Sequence, residues 1–188
     1  MGKADITREK IMDAALAEFS AYGIAGARVE RIAKTAGCNK NLIYIYFTDK
    51  ETLFATVLQK HLARVYEANK LTPDDLPGYA GRIFDFAMQH PDLMRLMAWF
   101  SLEQRTSIAA RQASMTEKVT ALIAAQEKGQ VGMAFPPGFL VTAIMTLATA
   151  WTAANPFGLA LDPQATEAPA TLRRLVVEAI RRLAAPEA

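Results

Sequence analysis

Apolar side chains return every three or four positions along almost the whole chain, and no segment alternates as a strand would. That period predicts an all-α protein. The first stripe is Ile11, Met12, Ala15, Leu16 and Phe19, entered after Thr7 as an N-cap and ended by Tyr22-Gly23. A short helix over Val29–Ala36 would bury Ile32, Ala33 and Ala36. Gly37 stops it, and Asn39 can cap a third helix through Lys40–Phe47. Thr48-Asp49 then caps a fourth, running from near Lys50 to near Asn69.

Further on, Pro73 and Pro77 punctuate a linker, and His90-Pro91 separates two more helices. A long helix follows Thr106-Ser107 and closes near Lys128-Gly129. The next, Phe139–Asn155, carries no charge. After a loop through Asp162-Pro163, a last helix over Glu167–Ala184 aligns Leu172, Leu175, Val176, Ala179, Ile180 and Leu183, with its arginines elsewhere. The sum is about nine helices without internal repeat.

Charge changes this picture a little. The net charge of +2 is too small to advertise a nucleic-acid binder. Residues 1–50, however, hold 8 Lys/Arg against 6 Asp/Glu, whereas residues 51–188 hold 13 of each, so the whole excess is N-terminal. Duplex affinity needs only a handful of well-placed cations. A lone cysteine, Cys38, excludes an internal disulfide, and Met1–Thr7 leads straight into a charged helical pattern rather than a signal peptide. Both point to the cytoplasm. The uncharged run Gly129–Leu161 is broken by Pro136-Pro137-Gly138 and by Asn155-Pro156, leaving less than the roughly 20 residues of a membrane span.

Catalysis finds no foothold. His61 and His90 have no Cys, His or carboxylate at ligand spacing, so neither metal nor other cofactor is expected. Nucleophile elbow, phosphate loop and metalloprotease signature are all missing, and Gly129-Gln130-Val131-Gly132 reads as a helix C-cap.

Residues 29–47 carry the specific signal: short helix, glycine turn, short helix, which describes a helix-turn-helix. In such a motif the first helix braces the second, whose N-terminal half can enter the major groove. Ile43 and Phe47 lie four apart and should face inward, leaving Lys40, Asn41, Tyr44 and Ile45 outward. Lysine offers donors to guanine or phosphate, asparagine can pair with adenine, and Ile45 can pack on a thymine methyl.

Over Thr7–Leu53 the chain resembles the N-terminal domain of the TetR/AcrR family of repressors. The matching pieces, in order, are Ile11 to Phe19, Tyr22-Gly23, Val29 to Gly37, Leu42 to Phe47 and Asp49 to Glu51. The resemblance implies a homeodomain-like three-helix DNA-binding domain over residues 1–52. A C-terminal bundle of about six helices would fill residues 53–188 and serve ligand binding and dimerisation. It places Lys40, Asn41 and Ile45 where the family reads bases, and Tyr44, Tyr46 and Lys50 where it contacts phosphates. Arg28, Val29, Asn39 and Leu42 complete the expected DNA-binding set. Lysine at a helix start also suits a phosphate on physical grounds. Two departures stand out: the family more often has Gly, Ala or Pro at position 41 and a bulkier polar or aromatic residue at 45, which implies a different operator. Cys38 falls where the family usually has valine, so it reads as a small buried hydrophobe rather than a redox sensor.

The run Met94 to Phe100 holds two Met, a Trp and a Phe. By itself it reads as core; the resemblance adds an apolar or aromatic effector held among the C-terminal helices. The expected ligand set is Met94, Arg95, Met97, Trp99, Phe100, Glu103, Gln104 and Trp151. A homodimer is expected on a palindromic operator, its interface built from Phe139, Leu140, Ile144, Leu147 and Trp151 with Leu172, Leu175, Val176, Ala179 and Ile180. The alternative is a regulator of the same fold with no small effector.

Overall fold

The computed structural model describes residues 2–102 and 109–186. Its helices are α1 (Lys3–Gly26), α2 (Val29–Ala36), α3 (Lys40–Phe47), α4 (Lys50–Ala68) and α5 (Leu76–Gln89). They continue with α6 (Pro91–Leu102), α7 (Ala109–Glu127), α8 (Pro137–Thr149), the single turn α9 (Gly158–Leu161) and α10 (Pro169–Ala184). No strand occurs among the described residues, so the all-α expectation holds.

Several boundaries differ from the sequence reading for local reasons. α1 starts at Lys3, before Thr7, because the Gly2 N–H finds the Asp5 carboxylate at 2.9 Å. Gly23 breaks the helical path where Tyr22-Gly23 was expected to end it, with φ 64° and ψ −179°, a region essentially open only to glycine. One further turn then carries the chain to Gly26. Pro77 sits inside the first turn of α5, where its missing N–H costs nothing, and Asp75 Oδ1 caps that turn by accepting from Gly78 N–H at 2.8 Å. α8 stops at Thr149, short of Asn155.

The chain forms two compact units. The first comprises Met1–Arg64 with Asp92–Thr106, the second Val65–Pro91 with Ser107–Ala188. The unit that holds the helix-turn-helix therefore extends past residue 52 and recruits α6. Phe19, Ile32, Ile43, Phe47, Leu53, Phe54 and Leu58 are buried there. Phe54 meets Phe19 edge-on at 5.2 Å and stacks on Phe100 at 6.4 Å. α6 is tied down further: the Ser20 hydroxyl donates to Asp92 O at 2.7 Å, and the Trp99 indole N–H donates to Ser20 O at 3.2 Å.

In the second unit, α5, α8 and α10 share one apolar core with part of α7. α10 lies close over Gly81 of α5, where a Cβ would stand 2.7 Å from the Arg173 guanidinium and 3.2 Å from the Val177 side chain. Arg173 Nε donates to both oxygens of Asp85, at 2.9 and 2.8 Å. Gln126 Nε2 donates to Gly132 O and Phe135 O, at 2.7 and 2.9 Å, which fixes the loop before α8.

This core corrects the expected dimer interface. Leu140, Ile144, Leu172, Val176 and Ile180 are each no more than 4% exposed within the single chain. Helical period marks an apolar stripe without saying which helix covers it, and here the covering helix is the chain's own α5. Leu147, Trp151 and Ala179 remain half-buried; Phe139 and Leu175 stay exposed, at 51% and 58%.

Candidate nucleic-acid interface

α2 and α3 pack as the motif requires. α2 ends on Gly37 in the left-handed conformation, φ 67° and ψ 37°, whose N–H donates to Lys34 O at 3.2 Å. Asn39 then caps α3, its Oδ1 accepting from Asn41 N–H at 2.9 Å. Ile43 and Phe47 turn inward as expected. The opposite face presents Lys40, Asn41, Tyr44 and Ile45 to solvent, Ile45 with 77% of its surface exposed. Ile45 is one of several exposed apolar side chains of the chain, and a thymine methyl would be a partner of matching size for it.

Three of the polar groups on and beside this face, Lys40, Tyr46 and Lys50, already have partners. Lys40 Nζ pairs with Glu30 Oε1 at 2.6 Å and lies 5.7 Å from the Tyr44 ring centre. That contact holds the Glu30 carboxyl below its usual range and raises the Lys40 ammonium above its own. Lys50 Nζ donates to Ala27 O at 3.2 Å, and the half-buried Tyr46 donates its hydroxyl to Ala4 O at 3.3 Å. Phosphates that reach Lys50 or Tyr46 would compete with these carbonyls. Of the expected set, Arg28, Asn39, Lys40, Asn41, Tyr44 and Ile45 are exposed; Leu42, Tyr46 and Lys50 are half-buried.

Val29 is a correction. Its side chain is buried, the first member of an inward stripe with Ile32 and Ala33, so it belongs to the core of the motif. Only its backbone at the helix start could face a phosphate.

Sequence reading missed Glu18. It is 9% exposed, and its Oε1 accepts from the Arg28 backbone N–H and from Arg31 Nε, both at 2.8 Å. Arg31 also donates to Gly26 O at 3.0 Å and lies 4.3 Å from the Tyr22 ring centre. One buried carboxylate thus joins α1, the turn and the start of α2. The available signal was a charged residue between Leu16 and Phe19 on an otherwise apolar stripe.

Comparison with known proteins decides the family. The model described as "Bacterial regulatory proteins, tetR family" matches residues 11–57, and "Tetracyclin repressor-like, C-terminal domain" matches residues 75–182. The chain belongs to the TetR family. Like other members it is a DNA-binding transcriptional regulator rather than an enzyme. It is 38% identical over 156 residues to the HTH-type transcriptional repressor SCO4008 of Streptomyces coelicolor, covering 81% of each chain. It is 37% identical over 109 residues to the repressor NicS of Pseudomonas putida, covering 54% of this chain and 51% of that one. The crystal structure of SCO4942 from Streptomyces coelicolor superposes with a TM-score of 0.82 at 38% identity, covering 96% of this chain and 99% of the other.

The residues expected to hold an effector in this TetR-family chain fall in both units. Met94 and Phe100 are buried and Met97 and Trp99 half-buried in the first, where Phe100 stacks on Phe54 and Trp99 bonds to Ser20. Arg95 is exposed, and Glu103 and Gln104 lie outside the described residues. Trp151 belongs to the second unit; its indole nitrogen is buried and has no hydrogen-bond partner. The same unit buries Lys118, which donates to Ser114 Oγ at 2.6 Å and whose ammonium is pushed down by burial. Burial likewise pushes the Cys38 thiol up, which suits a packing role rather than a reactive one. Among the described residues no group of three His, Cys, Asp or Glu could hold a metal, and no helix is long and apolar enough to cross a membrane.

Proposed function

We propose that the protein is a homodimeric repressor that binds a palindromic operator through α3 and leaves it when a small apolar or aromatic effector binds. The observation that carries DNA recognition is the outward face of α3, where Lys40, Asn41, Tyr44 and Ile45 stand exposed around an Asn39-capped start while Ile43 and Phe47 anchor the helix. Repression follows the relatives SCO4008 and NicS, both described as repressors. Two α3 helices must stand about 34–36 Å apart to enter successive major grooves, which asks for a symmetric dimer. Of the residues expected at the interface, Phe139 of α8 and Leu175 of α10 are the exposed apolar groups that could form it. Binding to the operator would take place in the cytoplasm.

For an effector, the supporting observation is the buried, unpartnered indole N–H of Trp151, since a buried donor left unpaired is costly and an acceptor on a bound molecule would satisfy it. An effector need change DNA affinity only about 5–150-fold, a coupling of roughly 1–3 kcal/mol. A second reading, regulation without any small effector, draws support from α6, whose Trp99 and Phe100 are engaged in packing.

The test is selection of bound sequences from a random duplex pool, followed by binding in the presence of an apolar compound library. Recovery of a two-fold symmetric sequence released by some compound is expected. A symmetric sequence that no compound releases, with no compound raising the melting temperature, establishes the second reading; no enriched sequence refutes DNA recognition by α3.

A further inference from the structure

The Glu30–Lys40 pair stands at the leading end of the helix that would enter the groove. Lys40 is the first residue of α3, Glu30 is in the first turn of α2, and their charges meet at 2.6 Å with Glu30 64% and Lys40 44% exposed. An ion pair this exposed adds next to nothing to folding stability. Its consequence lies in what it does to an approaching polyanion.

We propose that Glu30 is a specificity-determining residue that suppresses binding to DNA at large while leaving base reading by Lys40 intact. This role rests on α3 being the DNA-contacting helix, as proposed above. A lysine ammonium has three donors. One can stay on Glu30 while the others meet the O6 and N7 acceptors of a guanine, which are neutral. Contact with a phosphate is different, because it exchanges one anion for another at Lys40. It also leaves the Glu30 carboxylate facing a duplex that carries one negative charge per roughly 1.7 Å. A neutral pair releases no net counterion, so Lys40 adds little to sequence-independent affinity until Glu30 is neutralised. Arg28, whose charge also acts on Glu30, stays exposed and available to the backbone.

The experiment measures affinity for a random-sequence duplex, and for a duplex selected from a random pool, across a salt series. The proteins are wild type, Glu30→Gln, Lys40→Ala and the double variant. Glu30→Gln should bind the random duplex about tenfold more tightly, with a salt slope steeper by up to about 2 per dimer. The selected duplex should gain less than about threefold, so the ratio of the two affinities falls. The gain should shrink in the Lys40→Ala background. If Glu30→Gln matches wild type on the random duplex while Lys40→Ala still loses the selected one, the role of Glu30 is overturned and the reading of α3 stands. If Lys40→Ala loses nothing on the selected duplex, the reading of α3 falls, and the role of Glu30 with it.

Discussion

The carboxylate of Glu18 accepts the backbone N–H of Arg28 at 2.8 Å, and so a side chain buried on α1 satisfies the backbone N–H of the N-cap residue of α2. The same oxygen takes Arg31 Nε at 2.8 Å. Together these contacts set the angle at which the helix-turn-helix leaves α1. Removing the carboxylate takes the shared acceptor from both donors. Glu18→Ala should therefore destabilise the protein by about 1–3 kcal/mol, read as a lower melting temperature. Glu18→Gln keeps an acceptor and should lose less. A Glu18→Ala variant as stable as wild type would show that the carboxylate does not brace the motif.

DNA recognition by α3 predicts that Lys40→Ala and Tyr44→Ala each weaken operator binding roughly tenfold without altering the circular dichroism spectrum. Affinity should also fall steeply with rising salt, through cations such as Lys50 and Arg28. Fluorescence anisotropy titrations at several salt concentrations check both. Variants that bind as tightly as wild type would mean that a different face reads the DNA.

Burial separates two substitutions that helical period alone would treat alike. Leu175 is 58% exposed on α10, so Leu175→Asp should leave the fold intact and convert the dimer to monomer, weakening operator binding in parallel. Ile144 is 1% exposed in the core of the second unit. Ile144→Asp should unfold that unit, because an unpaired charge cannot be buried there. Light scattering with a thermal melt distinguishes the outcomes. A wild type that is monomeric at micromolar concentration would sink the dimer assignment.

Thr48 joins α3 to α4 with φ 64° and ψ −55°, and the Asp49 N–H reaches back to Phe47 O at 2.6 Å. This is a γ-turn with positive φ at a β-branched residue, a conformation that costs about 1–3 kcal/mol. Thr48→Gly should relieve that strain by more than the roughly 0.5–1 kcal/mol of added chain entropy, raising the melting temperature slightly. A clear fall in stability would show that the Thr48 side chain contributes more than the turn costs.

Much of this protein follows from local rules and is legible in its residue order. The period near 3.6 declares helices, Gly37 and Asn39 mark the turn between α2 and α3, and the spacing of Ile43 and Phe47 decides which face of α3 looks outward. These depend on neighbours within one or two turns, which the sequence displays directly. Partnership across space is another matter. The stripe on α10 is plain in the sequence, yet only the folded chain shows that α5 covers Leu172, Val176 and Ile180 and leaves Leu175 outside. Val29 likewise reads as a helix start but packs inward, and Glu18 meets Arg28 ten residues on, beyond the break at Gly23 and the end of α1. Glu30 and Lys40 are also ten residues apart, and nothing in their order says that they meet. A hydrophobic stripe or a charge fixes what must be covered or compensated. Which atoms do so is settled by loop geometry and packing, which act between residues far apart in the chain.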